Sequence, residues 1–129
     1  MKKENFMEKY PVYTIELMKD EIKLKSVDAI LEYFEEKIKS HPVAKYIATF
    51  DQYSHTKSLS GEINDKILDV KNIIFCFGTT IPESKMAAVR PRSIGVCELE
   101  DKFSVEFLEV PREELNGVLE SWIKELIHK

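Results

Sequence analysis

The chain lacks any run of about eighteen consecutive apolar residues, the minimum for crossing a bilayer as a helix, so no membrane association is expected. Its first ten residues, Met1-Lys2-Lys3-Glu4-Asn5-Phe6-Met7-Glu8-Lys9-Tyr10, have charge where a secretory leader has its apolar core, and the expected location is cytoplasmic. Neither sign of charge dominates. Nineteen Lys and Arg against 23 Asp and Glu leave a net charge of -4, so no broad positive field draws the chain to nucleic acid. Only two cysteines occur, Cys76 and Cys97, both inside apolar runs where a reduced thiol packs as a small hydrophobe; this excludes a disulfide scaffold. Glycine and proline are scarce, at 4 and 5, which excludes collagen-like and low-complexity classes.

Motifs are scarce too. Neither G-x-x-x-x-G-K-[ST] nor G-x-G-x-x-G occurs, so no glycine-rich loop cradles a nucleotide phosphate. His41, His55, His128, Cys76 and Cys97 supply all the nitrogen and sulfur ligands, and none fall in zinc or haem spacing. No metal site and no cofactor are expected. What remains is 43% hydrophobic and 33% charged over 129 residues, the profile of one domain with a real core.

Periodicity gives the elements. Residues 12–18, rich in β-branched and aromatic side chains, read as a first strand. Ser26 is placed to cap a helix whose Val27, Ile30, Leu31, Phe34 and Ile38 recur every three or four residues, and His41-Pro42 stops it. Residues 43–53 read as a second strand. The stretch 54–71 is polar at first, and its set Ile63, Ile67, Leu68 and Val70 suits a turn or two of helix.

Asn72-Ile73-Ile74-Phe75-Cys76-Phe77-Gly78 is the most apolar run and is predicted to be the middle strand. A loop of about fourteen residues, 79–92, follows; that length is often functional. Residues 93–99 and the alternating Phe103, Val105 and Phe107 form a hairpin about Glu100-Asp101. Pro111 opens a closing helix with Leu115, Val118, Leu119, Trp122, Ile123, Leu126 and Ile127 on one stripe. The predicted fold is α+β: a two-layer sandwich with a mostly antiparallel five-stranded sheet and two amphipathic helices on one face, in the order β-α-β-(α)-β-β-β-α.

If Phe75 and Phe77 face the helices, then Ile74, Cys76, Gly78, Gly95 and Cys97 line a sheet face with no second layer, and such a face marks an interface or a ligand groove. Two-fold pairing is the commonest cover, so a homodimer is expected.

With the elements placed, the layout resembles a small bacterial family of unknown function, numbered three hundred and two, over roughly residues 13–110. Asp51-Gln52-Tyr53-Ser54-His55 stands where that family has Asp-His. Phe77-Gly78 matches its Phe-Gly, Thr79-Thr80 replaces Asn-Pro, and Arg90-Pro91 replaces Leu-Pro. The resemblance implies an α+β fold and a homodimer, and it brings no enzymatic activity with it.

Two candidate sites follow from the residues. Arg90-Pro91-Arg92 sets two guanidinium forks about a rigid residue, suited to a carboxylate or phosphate, and Thr79 and Thr80 can add hydroxyls. The plainer reading gives these arginines to salt bridges. Asp51 and His55 can form an acid-base pair if the chain turns there; the plainer reading is a solvated loop. The leading expectation is a non-catalytic small-molecule-binding or interaction module that homodimerises, with a small anionic or semi-apolar molecule expected at Thr79, Thr80, Arg90 and Arg92; a purely structural interaction partner is a third reading. The rival is a small enzyme with His55 and Asp51 as acid-base pair and Arg90 or Arg92 steadying negative charge, which requires all four to meet in one pocket.

Overall fold

In the computed structural model, which describes residues 1–128, Ser26 sits in extended backbone and its hydroxyl accepts the Ala29 amide at 3.0 Å. That bond satisfies one of the orphan donors at a helix start and opens α1, Val27–Ser40. The predicted stripe Val27, Ile30, Leu31, Phe34 and Ile38 is buried. The helix ends where the His41 amide donates to the Ile38 carbonyl at 3.1 Å, one residue before Pro42. No helix among the described residues is long and apolar enough to cross a membrane.

The sheet has six strands: β1 Lys2–Phe6, β2 Tyr10–Met18, β3 Ala44–Phe50, β4 Asp69–Phe77, β5 Arg92–Glu98 and β6 Lys102–Leu108. Their spatial order is β1-β2-β6-β5-β4-β3, and every neighbouring pair is antiparallel. The α+β class is as expected, but the sheet gains a strand. The charged lead forms β1 as a hairpin with β2, and all five β1 residues are exposed. β4, expected at the middle, lies one place in from the β3 edge; β5 and β6 are central. The β5–β6 hairpin forms as predicted, closed by the Leu99 amide on the Lys102 carbonyl at 2.9 Å.

Among the described residues there are three further α-helices, α2 Gln52–Ser58, α3 Met86–Val89 and α4 Glu113–Lys124, the last continued by a 3-10 turn over Glu125–His128, and a 3-10 turn at Lys19–Glu21 follows β2. α2 overturns the expectation of strand up to residue 53. Asp51 accepts both the amide and the hydroxyl of Ser54 at 2.9 Å and so caps a helix there. The helix expected at 63–70 is absent; the chain turns over residues 65–66, and Val70 already belongs to β4. Leu126 is buried, but Ile127 lies off the stripe and is 40% exposed. The side chain of His128 lies outside the described residues.

Alternation decides what each strand buries. Leu17, Ile73, Phe75, Phe77, Ile94, Val96, Phe103, Val105 and Phe107 join the α1 and α4 stripes in one core. Trp122 of α4 meets the rings of Phe77 and Phe75 at 6.0 and 6.4 Å. The other sheet face has no covering layer as extensive, and Ile74, Cys76, Gly95, Cys97, Ser104 and Glu106 are half-buried there. Cys76 is therefore not the core residue its neighbours Phe75 and Phe77 suggest. Both thiols are reduced.

One cross-strand row of this face reads Thr14, Glu106, Gly95, Asn72, Phe50. Gly95 makes room in it: a Cβ there would stand 3.1 Å from the Asn72 amide nitrogen, while the Asn72 Oδ1 is buried and accepts no hydrogen bond among the described residues. Burial pushes the Glu106 carboxyl above its ordinary range, opposed by hydrogen bonds from Ser104 and Thr14. A carboxyl raised by folding stabilises fully below its ordinary value of 4.5 and loses that contribution as pH rises through the native value. Glu106→Gln has no such loss. The stability of the variant relative to wild type, from urea unfolding, should therefore be level below that value and climb above it. A difference independent of pH between about 3 and 8 would contradict this burial.

Candidate functional site

β4 leaves the sheet at Gly78, whose φ of 102° belongs to the region glycine adopts without strain. Its amide donates to the Val43 carbonyl at 3.2 Å. The chain then runs out through Thr79 and Thr80, turns through α3, and returns through a cis Arg90-Pro91 peptide to β5. The long loop is thus not structureless, because the Arg90 amide closes α3 on the Met86 carbonyl at 3.1 Å.

The two arginines do different work. Arg92 gives one nitrogen to the Val89 carbonyl at 3.0 Å and another to the Leu108 and Glu109 carbonyls, each at 2.8 Å. It ties the loop's return to the end of β6. Burial lowers its pKa, but a guanidinium remains a cation at neutral pH. Arg90 donates one nitrogen to the Thr80 carbonyl at 2.6 Å, and its fork lies across Gly78, where an added Cβ would come within 2.5 Å of Nη2. Among the described residues neither arginine has a carboxylate partner, so the salt-bridge reading of the pair does not apply within the chain.

All four residues singled out for an anion, Thr79, Thr80, Arg90 and Arg92, line one cavity of about 180 Å³. Arg112, at the start of α4, adds a third guanidinium, paired with Glu114 outside the lining. Val43, Phe77, Val110 and Leu115 make the apolar wall, and no acidic residue is in the lining. Asn116 holds the approach to α4 in place: its side chain accepts from the Val110 amide at 2.7 Å and donates to the Val110 carbonyl at 3.1 Å. Sequence reasoning missed Arg112, Met86 and Val110. Pro111 marked the helix start, but nothing in the pattern brings that start beside the loop.

A second cavity, of about 660 Å³, shares Gly78, Thr79, Thr80, Met86 and Arg90 with the first. It opens on the other side of the loop, against Cys76, Ile47 and Ile81.

Asp51 and His55 do not join this site. β3 runs between them and the cavity, and its seven residues at ~3.3 Å each span about 20 Å. Asp51 is occupied by Ser54, whose hydrogen bonds hold its carboxyl below the ordinary range. The His55 ring instead packs edge-on against Phe50 at 5.4 Å. The four residues the enzymatic reading needs therefore do not meet in one pocket of the chain. His41 is a packing residue, edge-on to Phe77 at 5.2 Å, and its Nδ1 accepts the Val43 amide at 3.3 Å. Cys97 is held protonated: burial, then Glu106, Asp69 and Glu98, push its thiol up. Among the described residues no group of three or more His, Cys, Asp or Glu side chains could hold a metal ion.

Fold and site together define an α+β protein with an open antiparallel sheet and an arginine-lined cavity at one sheet end. The chain belongs to a family of unknown function (DUF6858), whose model matches residues 1–128. An uncharacterised family is what the sequence pieces implied, although the number differs. No curated protein and no solved structure matches the chain.

The division of labour between the arginines is measurable. Arg92→Ala removes three charge-assisted hydrogen bonds, two of them part-buried, and should cost roughly 2–3 kcal/mol in urea unfolding. Arg90→Ala removes one hydrogen bond at the surface and should cost less than about 1 kcal/mol. Equal losses would contradict the assignment.

Proposed function

We propose that this protein is a cytoplasmic, non-catalytic module that binds a small organic anion in the cavity between the residue 78–91 loop and the start of α4, and that it acts as a homodimer. The carrying observation for binding is the lining: three arginines, two threonines, an apolar wall and no carboxylate. Arg92 and Arg112 are engaged, by carbonyls and by Glu114, and set the local potential; Arg90 keeps donors for a ligand. A carboxylate suits a planar fork better than a point charge would. The distance of Asp51 and His55 from this cavity favours binding over catalysis.

Thermal unfolding with a panel of small carboxylates, inorganic phosphate and matched neutral amides, at constant ionic strength, tests the reading. A carboxylate at 100 times its Kd should stabilise by about 2.7 kcal/mol, the matching amide should not, and the gain should vanish in Arg90→Ala. Equal effects of acid and amide, or an undiminished gain in Arg90→Ala, would refute it.

The homodimer is supported by the sheet face opposite α1 and α4, which is covered only in part. Phe6, Tyr10, Leu108 and Phe50 fall on its outward parity and are 54%, 48%, 45% and 39% exposed. Glu16 and Lys102 on the same face pair with each other at 2.6 Å, so they do not repel a second copy. Sedimentation at micromolar concentration should give twice 15.0 kDa, and Leu108→Lys should return the monomer without loss of circular dichroism. A monomeric wild type would remove this half of the proposal.

A further inference from the structure

Arg90 lines both cavities, and so do Gly78, Thr79, Thr80 and Met86. The two spaces lie on either side of one strand end, and of the residues they share Arg90 and Met86 are long, unbranched and able to change rotamer. Their characters differ. The smaller has three cations; the larger has Arg90 as its one charged lining residue among the described residues, with Ile47, Ile81, Ala87, Pro91 and Cys76 around it. Ile81 is 80% exposed and Ile47 52% exposed. Two large aliphatic side chains facing solvent beside a cation, over a volume of about 660 Å³, form a surface that a ligand with a greasy body would cover.

Resting on the anion-binding reading above, we infer that the ligand is a straight-chain aliphatic carboxylate whose head sits at Arg90 in the smaller cavity and whose chain passes Met86 into the larger one. The argument is continuity and complementarity. The head needs a fork with open donors, and Arg90, whose side chain among the described residues bonds only the Thr80 carbonyl, is the arginine shared by both spaces. The chain needs an apolar trough beginning within reach of that fork, and the larger cavity starts at the same residue. A polyanion such as a nucleotide suits this arrangement less, because Arg92 and Arg112 in the smaller space are engaged by carbonyls and by Glu114, and among the described residues the larger space has Arg90 as its one charged lining residue.

The test is calorimetric titration of the full chain with straight-chain carboxylates from two to twelve carbons, kept below micelle formation, beside the matching alcohols. Affinity should rise about fourfold per methylene once the chain enters the larger cavity, then level off when it is full, and the alcohols should bind far more weakly. Ile81→Asn and Ile47→Asn, neutral changes at solvent-facing positions, should flatten the rise with length. If short acids bind but affinity does not grow with length, this inference fails and the anion site stands. If no acid of any length binds, the anion site itself fails. If alcohols match the acids, the role given to Arg90 is wrong.

Discussion

One-sided burial of β4 is the constraint on which the rest of the molecule depends. Ile73, Phe75 and Phe77 are essentially inaccessible to solvent, locked between the neighbouring strands and the two long helices, with Trp122 against both phenylalanines. Because side chains alternate along a strand, that commitment fixes Ile74 and Cys76 outward. A register slip of one residue would put three large apolar groups in water and cannot be tolerated. It also decides how β4 ends. Phe77 is the last residue the core holds, and Gly78 follows in a conformation that turns the chain out of the sheet. The loop, both cavities and the position of Arg90 all follow from that exit.

Arg92 transmits the same constraint to the far side of the loop. The residue 78–91 excursion must come back to β5 beside β6, and the ends of these strands leave carbonyls that no ladder partner takes. One half-buried guanidinium satisfies the carbonyls of Val89, Leu108 and Glu109, two of the three bonds being partly shielded from water. The cation near the cavity is thus built into the frame, whereas Arg90, two residues away, retains donors. A lysine at 92 could not span three carbonyls in a planar fork.

Long, strongly periodic elements were legible in the sequence, and local or non-periodic ones were not. α1, the β5–β6 hairpin and α4 have the right spacing, and the residues the spacing indicates are buried or half-buried, Ile127 excepted. β1 was not legible because Lys2, Lys3, Glu4, Asn5 and Phe6 carry no alternation, and all are exposed on an edge strand. The lysines there suit an edge that must not recruit another strand. α2 was missed because Gln52, Tyr53, Ser54, His55, Thr56, Lys57 and Ser58 have no apolar stripe; its signal is the Asp51 cap on Ser54, a polar contact three residues apart. The place of β4 in the sheet depends on non-local pairing, which periodicity does not encode.

The candidate site was legible in its residue types and illegible in its division of roles. Thr79, Thr80, Arg90 and Arg92 were drawn together by loop length and charge, and one cavity has all four in its lining. That Arg92 serves backbone carbonyls and Arg90 does not depends on where the ends of β6 and α3 fall, and the carbonyls there are common to every residue type. Arg112 was invisible for a related reason. It lies between Val110 and Asn116, which are tied together by two hydrogen bonds, a contact made by a buried polar side chain in a helix otherwise read by its apolar stripe. A local charge pattern can therefore nominate the arginines of such a site. Which of them keeps donors for a ligand is decided by the main-chain groups that the finished sheet leaves unpaired.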